Sequence, residues 1–461
     1  MRSRALLAVA LALAAGCAVR PDYQRPESEL PRAWKESAPR HPAQAPWWRV
    51  YRDPQLDRLV EEALKDNTDI LVAAARVDEA RALLGETRSA QLPQVGAAAG
   101  VGRSLSSSAT GLIPPGVDRE RSDYLVGLSV SYEVDLFGRL NAATDAARAD
   151  LAATEAVRDT VRLSLTARVA ASYYTLGALD ARIDLTRRAV ALRDDALALQ
   201  RRRREAGLIS DFDLRQLEAD TAAFRADLPP LERDRDLEEA ALAALLGRSP
   251  RAVFEDPVVR ASFVADAPDA VVLPEGMPSE LLLRRPDIVQ AEQQLVAANA
   301  RVAEARAAYF PSIKLTGFLG SESAALGDLF TGSAGMWSAL ASIAQPIYQG
   351  GRLDAQRDAA LARERAALAG YRGAVREAFR EVRQALASQV RARESFEAQT
   401  ARVEALRETV RLARLRYASG IASQLDVLDA ERNLVAALSA QIESLRVQRA
   451  AVADLYRALG G

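Results

Sequence analysis

The sequence predicts a mixed α and β membrane protein that contains an internal tandem repeat. Three observations predict this fold class: two proline-free stretches of 67 residues, four segments with strand-like alternation, and a set of residues that recurs after 213 to 218 positions. The 461 residues are compatible with about three domains. The repeat instead indicates two copies of one supersecondary unit, and neither copy is expected to close a core alone.

The repeat is visible when the sequence is compared with itself. The stretch Asp69–Pro93 matches Asp287–Pro311 at an offset of 218, and Gly138-Arg139-Leu140 recurs as Gly351-Arg352-Leu353 at an offset of 213. A turn signature returns at the second offset: Gly207, Ser210, Asp213 and Glu218 recur as Gly420, Ser423, Asp426 and Glu431. Each copy is therefore predicted to follow the order helix, strand, loop, strand, very long helix, turn, helix.

The longest helices are predicted over Leu140–Ala206 and Leu353–Ser419, which contain no proline and are rich in Ala, Leu, Arg and Glu. At 1.5 Å per residue each helix would be about 100 Å long. A fibrous coiled coil also accounts for such stretches. The segments between the long helices must therefore decide the architecture.

Those segments have β-like sequences. In Tyr124–Leu136 apolar residues alternate with polar residues or glycine, and such a strand extends about 43 Å, enough to cross a bilayer when tilted. Glu133 and Asp135 lie on its polar face, which predicts that both face an aqueous lumen. The other strands are predicted over Gln94–Arg103, Ser312–Leu319 and Trp337–Tyr348. Four strands cannot close a barrel alone, and a soluble hairpin remains the alternative.

The composition argues against several classes of function. With 61 basic and 62 acidic residues the net charge is −1, so we expect no nucleic-acid partner. A single cysteine and a single histidine allow neither an internal disulfide nor a Cys/His metal site. We therefore expect no enzymatic activity and no cofactor.

Residues 1–16 have the features of an export signal, with Arg2 and Arg4 preceding an apolar run. The run ends in Leu13-Ala14-Ala15-Gly16-Cys17, which resembles a bacterial lipobox, although Leu lies one position further from the cysteine than usual. This resemblance implies that Cys17 carries a lipid, and Ala18 rather than Asp after it resembles an outer-membrane address. An ordinary signal peptide with an incidental cysteine is the alternative.

Ordered motifs along the whole chain resemble one family. They include Pro21-Asp22-Tyr23-Gln24-Arg25-Pro26, Pro46-Trp47-Trp48, Tyr132-Glu133-Val134-Asp135-Leu136-Phe137-Gly138-Arg139, Leu283-Arg284-Arg285-Pro286-Asp287-Ile288, Gln345-Pro346-Ile347-Tyr348-Gln349-Gly350-Gly351-Arg352 and Leu425-Asp426-Val427-Leu428-Asp429-Ala430. The sequence resembles the TolC-like outer-membrane lipoprotein channels of tripartite efflux systems, of the NodT type. The resemblance implies a homotrimer whose four strands per chain build a 12-stranded outer-membrane barrel, continued by an α-helical tunnel in the periplasm. It also implies two protein partners, a periplasmic adaptor and an inner-membrane resistance-nodulation-division pump.

The resemblance assigns the periplasmic gate to the helix–turn–helix hairpin of the second repeat, around Gly420 and Ser423. Matching aspartates in the superfamily form the constriction at the periplasmic aperture, which implies a gate role for Asp426 and Asp429. Tyr417 matches a gate tyrosine by its spacing, whereas the family's arginine position holds Ala422. Since that arginine is absent, the resemblance leaves open whether an ion-pair lock exists here.

The turn signature has both a structural and a functional interpretation. Gly207 and Gly420 would end the long helices, and Ser210 and Ser423 would open the next helices with Asp213 and Asp426 completing capping boxes. The same tips are candidate contacts for the adaptor. The arginines at 201–204 are expected to lie on an exposed face near the negative end of the helix dipole.

These expectations combine into one organisation and one function. The segments are a signal peptide (1–16), a lipidated linker (17–54), a first repeat (55–247), an equatorial belt segment (248–278) and a second repeat (279–461). The predicted function is the outer-membrane exit duct of a tripartite efflux pump for small molecules. A secretion channel for polypeptides and a structural coiled-coil lipoprotein remain the alternatives.

Overall fold

The computed structural model describes residues 23–26, 40–41, 46–107, 109, 114, 116, 118–261, 263, 273–274 and 284–461. The predicted signal peptide and Cys17 lie outside these residues, and the belt segment is described in part. Within the described part of the chain, no helix combines the length and the apolar character needed to cross a membrane.

The helices of the fold, in chain order, are α1 Pro54–Asp66, α2 Thr68–Ser89, α3 Arg139–Glu205, α4 Asp211–Ala226, α5 Leu228–Leu245, α6 Pro250–Glu255, α7 Pro286–Ala307, α8 Arg352–Ala418 and α9 Gln424–Leu459. The strands are β1 Arg40–His41, β2 Gln94–Leu105, β3 Glu120–Val134, β4 Leu273–Pro274, β5 Ser312–Ser323 and β6 Gly335–Ala344. The two predicted long helices are confirmed, since α3 and α8 each contain 67 residues and start one residue earlier than expected.

Four strands form one antiparallel sheet in the order β2-β3-β5-β6. Each predicted strand is present, although β6 ends at Ala344, four residues before the predicted end; Pro346 follows, and it has no N–H to donate to a ladder. Gly127 of β3 lies opposite Gly320 of β5. A Cβ atom on Gly127 would lie 2.9 Å from the Cα of Gly320, so neither position has room for a side chain.

The two repeats differ in the helices that follow the long helix. In each repeat we call the long helix, the turn and the following helix or helices the hairpin, and we call the turn its tip. In the second repeat α9 runs for 36 residues without interruption. In the first repeat the return path is divided into α4 and α5, which begins at Leu228 with Pro229 and Pro230 in its first turn. Proline lacks a backbone donor and is tolerated only in the first turn of a helix, so a single return helix, as the sequence pattern predicted for the first copy, does not form.

The chain divides into two compact units that do not follow the repeats. One unit includes residues 76–155 and 290–372, and the other includes 156–289 and 373–461. Each unit thus takes segments from both copies, so neither copy forms a compact unit by itself.

The largest core belongs to the second of these units. In α1 the buried residues Leu56, Leu59, Val60 and Ala63 follow the spacing of one helix face. They pack with Trp47, whose ring stacks on Tyr456 at 5.5 Å and whose Nε1 donates to Thr166 Oγ1 at 3.1 Å. Trp47 is therefore a packing anchor with a satisfied polar atom.

Candidate functional site at the hairpin tips

The turn after each long helix has the same backbone geometry. Gly207 and Gly420 adopt φ values of 73° and 70°, a left-handed conformation that glycine tolerates without strain. The next residue donates its N–H back into the helix, from Leu208 to the Arg203 carbonyl at 2.8 Å and from Ile421 to the Arg416 carbonyl at 2.9 Å. Both long helices therefore end in a Schellman motif.

The predicted capping boxes are confirmed at both tips. The Asp213 amide donates to Ser210 Oγ at 3.2 Å, and the Ser210 hydroxyl donates to Asp213 Oδ2 at 2.7 Å. At the second tip the Ser423 amide and hydroxyl donate to Asp426 Oδ2 at 2.7 and 2.8 Å. These bonds satisfy orphan amides of the helix N-terminus and place each carboxylate at its positive end.

Asp426 and Asp429 lie one turn apart on α9 in different surroundings. Asp426 is exposed, and its pKa is lowered, first by the backbone N–H of Ser423 and then by the Ser423 hydroxyl. Asp429 is half-buried and pairs with Arg432 at 3.0 Å. Asp426 is therefore kept ionised, and the second tip presents two carboxylates on one helix face.

Tyr417 joins the second hairpin to the first. Its hydroxyl accepts from Arg203 Nη1 of α3 at 3.3 Å. Close by, Gln200 Nε2 donates to Gln424 Oε1 at 3.4 Å. Tyr417 therefore has an arginine partner although position 422 is alanine, and the partner comes from the other repeat.

The arginines at the end of α3 are more engaged than the sequence indicated. Arg201 pairs with Glu218 at 3.1 Å, Arg204 makes a bidentate pair with Asp211 at 2.6 and 2.8 Å, and Arg203 reaches Tyr417. Sequence reasoning assigned this run to a solvated face and missed the Arg203 link. No sequence signal pairs Arg203 with Tyr417, because the two residues lie 214 positions apart.

Both tips also expose apolar side chains. Leu208 and Phe212 are 73% and 72% exposed at the first tip, and Ile421 and Leu425 are 70% and 42% exposed at the second. These are equivalent positions in the repeat. Exposed apolar groups that cluster in this way are typical of an interaction surface.

At the junction of sheet and helix, one sequence prediction is wrong. β3 ends at Val134, so Asp135 does not belong to the strand. Its carboxylate accepts from the amides of Leu140 and Asn141 at 3.1 and 2.7 Å and caps the start of α3. The sequence prediction failed because a polar residue directly after a strand continues the apolar–polar alternation, whether that residue extends the strand or caps the next helix. Glu133 lies in the strand and pairs with Arg139 at 2.7 Å.

The motif around Arg285 has a structural role. The buried Arg285 guanidinium donates to Asp287, to Glu381 of α8 at 2.8 Å and to the Ala458 carbonyl near the end of α9 at 2.7 Å. One side chain thereby ties three helices together through charge-assisted bonds. Within the described ranges no cluster of His, Cys, Asp and Glu has the arrangement of a metal site.

Comparison with known proteins gives a consistent result along the chain. The family model described as outer membrane efflux protein matches residues 59–248 and 277–461. The toluene efflux pump outer membrane protein TtgC of Pseudomonas putida is 34% identical over 464 residues, covering 99% of this chain and 94% of its own length. The outer membrane protein OprJ of Pseudomonas aeruginosa is 35% identical over 462 residues, covering 99% and 95%.

The fold agrees with this relationship. A crystal structure of a membrane protein from Pseudomonas aeruginosa superimposes with a TM-score of 0.88 at 34% identity, covering 96% of this chain and 98% of that chain. A family model that matches most of the chain and relatives of matching length identify the same group. The chain therefore belongs to the outer membrane efflux protein family.

Proposed function

We propose that this protein is the exit duct of a tripartite efflux pump and conducts small molecules passively across the outer membrane. The observation that carries the proposal is one chain that combines a membrane-length antiparallel sheet with two 67-residue helices that end in matched tips. The names of the relatives, which include efflux pump outer membrane proteins, support it.

We infer that three copies complete the barrel. Among the described strands, β2 and β6 each lack a neighbour on their outer side, and such edges pair readily with another strand. Joining β6 of one copy to β2 of the next removes all edges and gives 12 strands. Exposed apolar residues on β6, such as Trp337 and Ile343, suit the lipid side, because the register places them on the face opposite Glu133. Glu133 is the proposed lumen-facing acid.

We infer further that the second tip forms the periplasmic gate. A threefold axis beside α9 would bring together six carboxylates from Asp426 and Asp429, which attract cations and narrow the pore. Tyr417, held by Arg203, would fix the second hairpin against the first hairpin of the same copy. The aspartate ring and this internal bond replace the ion-pair lock that Ala422 cannot provide.

The two tips are the proposed docking surface for a periplasmic adaptor, which in turn joins an inner-membrane resistance-nodulation-division pump. Gly207, Ser210, Asp213, Gly420 and Ser423 shape the turns, and the exposed apolar pairs beside them supply the area to bury. A lipid on Cys17 is proposed to tether the N-terminus to the outer membrane. We expect neither a cofactor nor catalysis.

The duct is tested by expressing the protein with its pump and adaptor in cells that lack an outer-membrane channel. We expect reduced accumulation of a fluorescent pump substrate, heat-modifiable migration of the purified protein, and ion conductance in planar bilayers. Absence of conductance and of heat-modifiable migration would favour the coiled-coil lipoprotein. Export of a polypeptide without any change in dye accumulation would favour the secretion channel.

The docking surface is tested by replacing Leu208 and Ile421 together with serine. We expect weaker capture of the adaptor, because an exposed apolar contact is lost at both tips. The matched control is Leu192→Ser, since Leu192 is 64% exposed on α3 away from the tip. Equal adaptor capture by the tip variant and the control would contradict the assignment.

A further inference from the structure

The first residues that the structure describes, Tyr23–Pro26, lie against Glu292 of α7. The Arg25 guanidinium makes two parallel bonds to the carboxylate, from Nε to Oε1 at 2.7 Å and from Nη2 to Oε2 at 2.8 Å. The Tyr23 hydroxyl donates to Oε1 at 3.3 Å. A bidentate arginine–carboxylate pair fixes orientation as well as distance, so the N-terminal segment has a defined position on the helix.

This contact includes a buried charge. The Glu292 side chain is 8% exposed, whereas that of Arg25 is 41% exposed. Removing one partner of a buried pair is costly because the other charge stays buried and unpaired. In the described part of the chain, the ion pair of Glu292 is made with Arg25, a residue 267 positions away. The helix thus carries an acid that the N-terminal segment neutralises.

Tyr371 of α8 completes the surroundings of this acid. It is fully buried, and its hydroxyl has no hydrogen-bond partner among the residues that the structure describes. Burial and the Glu292 charge raise the pKa of Tyr371, and the same two causes raise the pKa of Tyr23. We refer to Tyr23, Arg25, Glu292 and Tyr371 as the N-terminal clasp.

We propose that the N-terminal clasp is a positioning device for the membrane anchor: it fixes the segment that follows Cys17, so that a lipid on Cys17 is held within a short tether of the protein body. Arg25 lies eight positions after Cys17, and at about 3.5 Å per residue this span reaches about 28 Å at most. The lipid surface that receives the anchor therefore lies within that distance of α7. This inference rests on the lipid attachment in the proposed function.

The clasp is tested with a spin label at Gln24→Cys in the full chain. Gln24 is exposed, and a lipidated Cys17 does not react with the label, so mass spectrometry of the labelled protein reports the lipid separately. We expect an immobilised label that becomes mobile with Arg25→Ala and is immobilised again when Arg25→Glu is combined with Glu292→Arg. The control is Arg81→Ala, which removes an exposed pair with Asp78. An equally mobile label with and without Arg25 overturns the clasp.

Thermal unfolding gives an independent test of the buried charge. We expect Arg25→Ala to lower Tm by about 3 °C, and we expect the double variant Arg25→Ala with Glu292→Gln to regain most of that loss, because no uncompensated charge remains. Equal Tm values for the single and double variants would contradict the argument. Neither readout depends on transport, so loss of efflux with an intact clasp counts against the proposed function alone.

Discussion

The two hairpin tips share a backbone, and three of the aligned positions at which their side chains differ change the polar contacts or the charge of the tip. Offsetting the sequence by 213 residues pairs Arg204 with Tyr417, Asp211 with Gln424, and Gln216 with Asp429. At the first tip Arg204 and Asp211 form a bidentate ion pair that closes the turn on itself. At the second tip Tyr417 and Gln424 instead accept bonds from Arg203 and Gln200 of the first hairpin.

The comparison of the two tips separates the features that form the turn from the features that distinguish one tip from the other. The Schellman glycine and the capping box are present in both tips, so they explain how the turn forms rather than what it does. At the first tip the divergent residues Arg204 and Asp211 pair with each other. At the second tip the divergent residues add the carboxylate of Asp429, and Tyr417 and Gln424 bond to the first hairpin. If the second tip is the gate, as proposed, its contacts must break without unfolding the turn, and the bonds of Tyr417 and Gln424 to the first hairpin meet this requirement.

The largest effect is expected from replacing Asp426 and Asp429 together with alanine. If they line the gate, six negative charges leave the aperture, so single-channel conductance in a planar bilayer should rise and cation selectivity should fall. The matched control is Asp213→Ala, which breaks the equivalent capping box at the first tip, where Gln216 occupies the position of Asp429. Unchanged conductance and selectivity in the double variant, or an equal change in the control, would sink the gate assignment.

A smaller effect is expected from Tyr417→Phe. The variant removes the acceptor of Arg203 but keeps the ring, and a hydrogen bond to a charged group contributes roughly 1.5–3 kcal/mol. The second hairpin should then leave its position more often, which increases the open fraction in conductance records. Arg203→Ala should act alike, and the double variant should add little beyond either single change.

The control for this bond is Arg204→Ala. It removes the neighbouring guanidinium and the ion pair with Asp211, but it leaves Arg203 and Tyr417 in place. We expect a normal open fraction for this variant. An increase similar to that of Tyr417→Phe would mean that the local charge at the end of α3 matters rather than the bond between the hairpins.

Residue spacing predicted the periodic elements and not the tertiary partners. The absence of proline and the helical composition placed α3 and α8 to within one residue, and alternation located the four strands. Asp135 was misplaced because a helix cap directly after a strand keeps the polar alternation. The division of the first return path at Leu228 was missed although Pro229 and Pro230 signal it. The Arg203–Tyr417 bond joins residues 214 positions apart, and no local pattern encodes such a contact.

The pKa of a carboxylate is lowered at both tips, but by different groups. At the first tip the Arg204 guanidinium lowers the pKa of Asp211, and at the second tip the Ser423 amide lowers the pKa of Asp426. A carboxylate whose folded-state pKa is depressed stays ionised until the pH falls through that lower value. Its contribution to folding stability is complete above the unfolded pKa and is lost as the pH falls through the folded pKa. Cation selectivity should therefore persist to a pH below the usual aspartate range, about 3.9.

Ser423→Ala sharpens this prediction. It removes the hydroxyl that bonds Asp426, so the pKa rises and selectivity should be lost at a higher pH than in the original protein. The equivalent Ser210→Ala should leave the pH dependence of selectivity unchanged. A shift of the same size in both variants, measured from reversal potentials, would show that the two tips do not differ in this respect.

The smallest effect is expected where the two hairpins are alike. Arg201–Glu218 and Arg414–Glu431 occupy equivalent positions at 3.1 and 2.7 Å, and both arginines are more than half exposed. Exposed ion pairs contribute about 0–1 kcal/mol, so Glu218→Ala and Glu431→Ala should each raise local amide exchange in α4 and α9 only slightly. The increase should be the larger for Glu218→Ala, because Glu218 also pairs with Arg215 at 2.8 Å. A larger increase for Glu431→Ala would mean that the second tip relies on this pair for its own stability. Its attachment to the first hairpin would then be a consequence of a weaker turn rather than the contact that holds the gate.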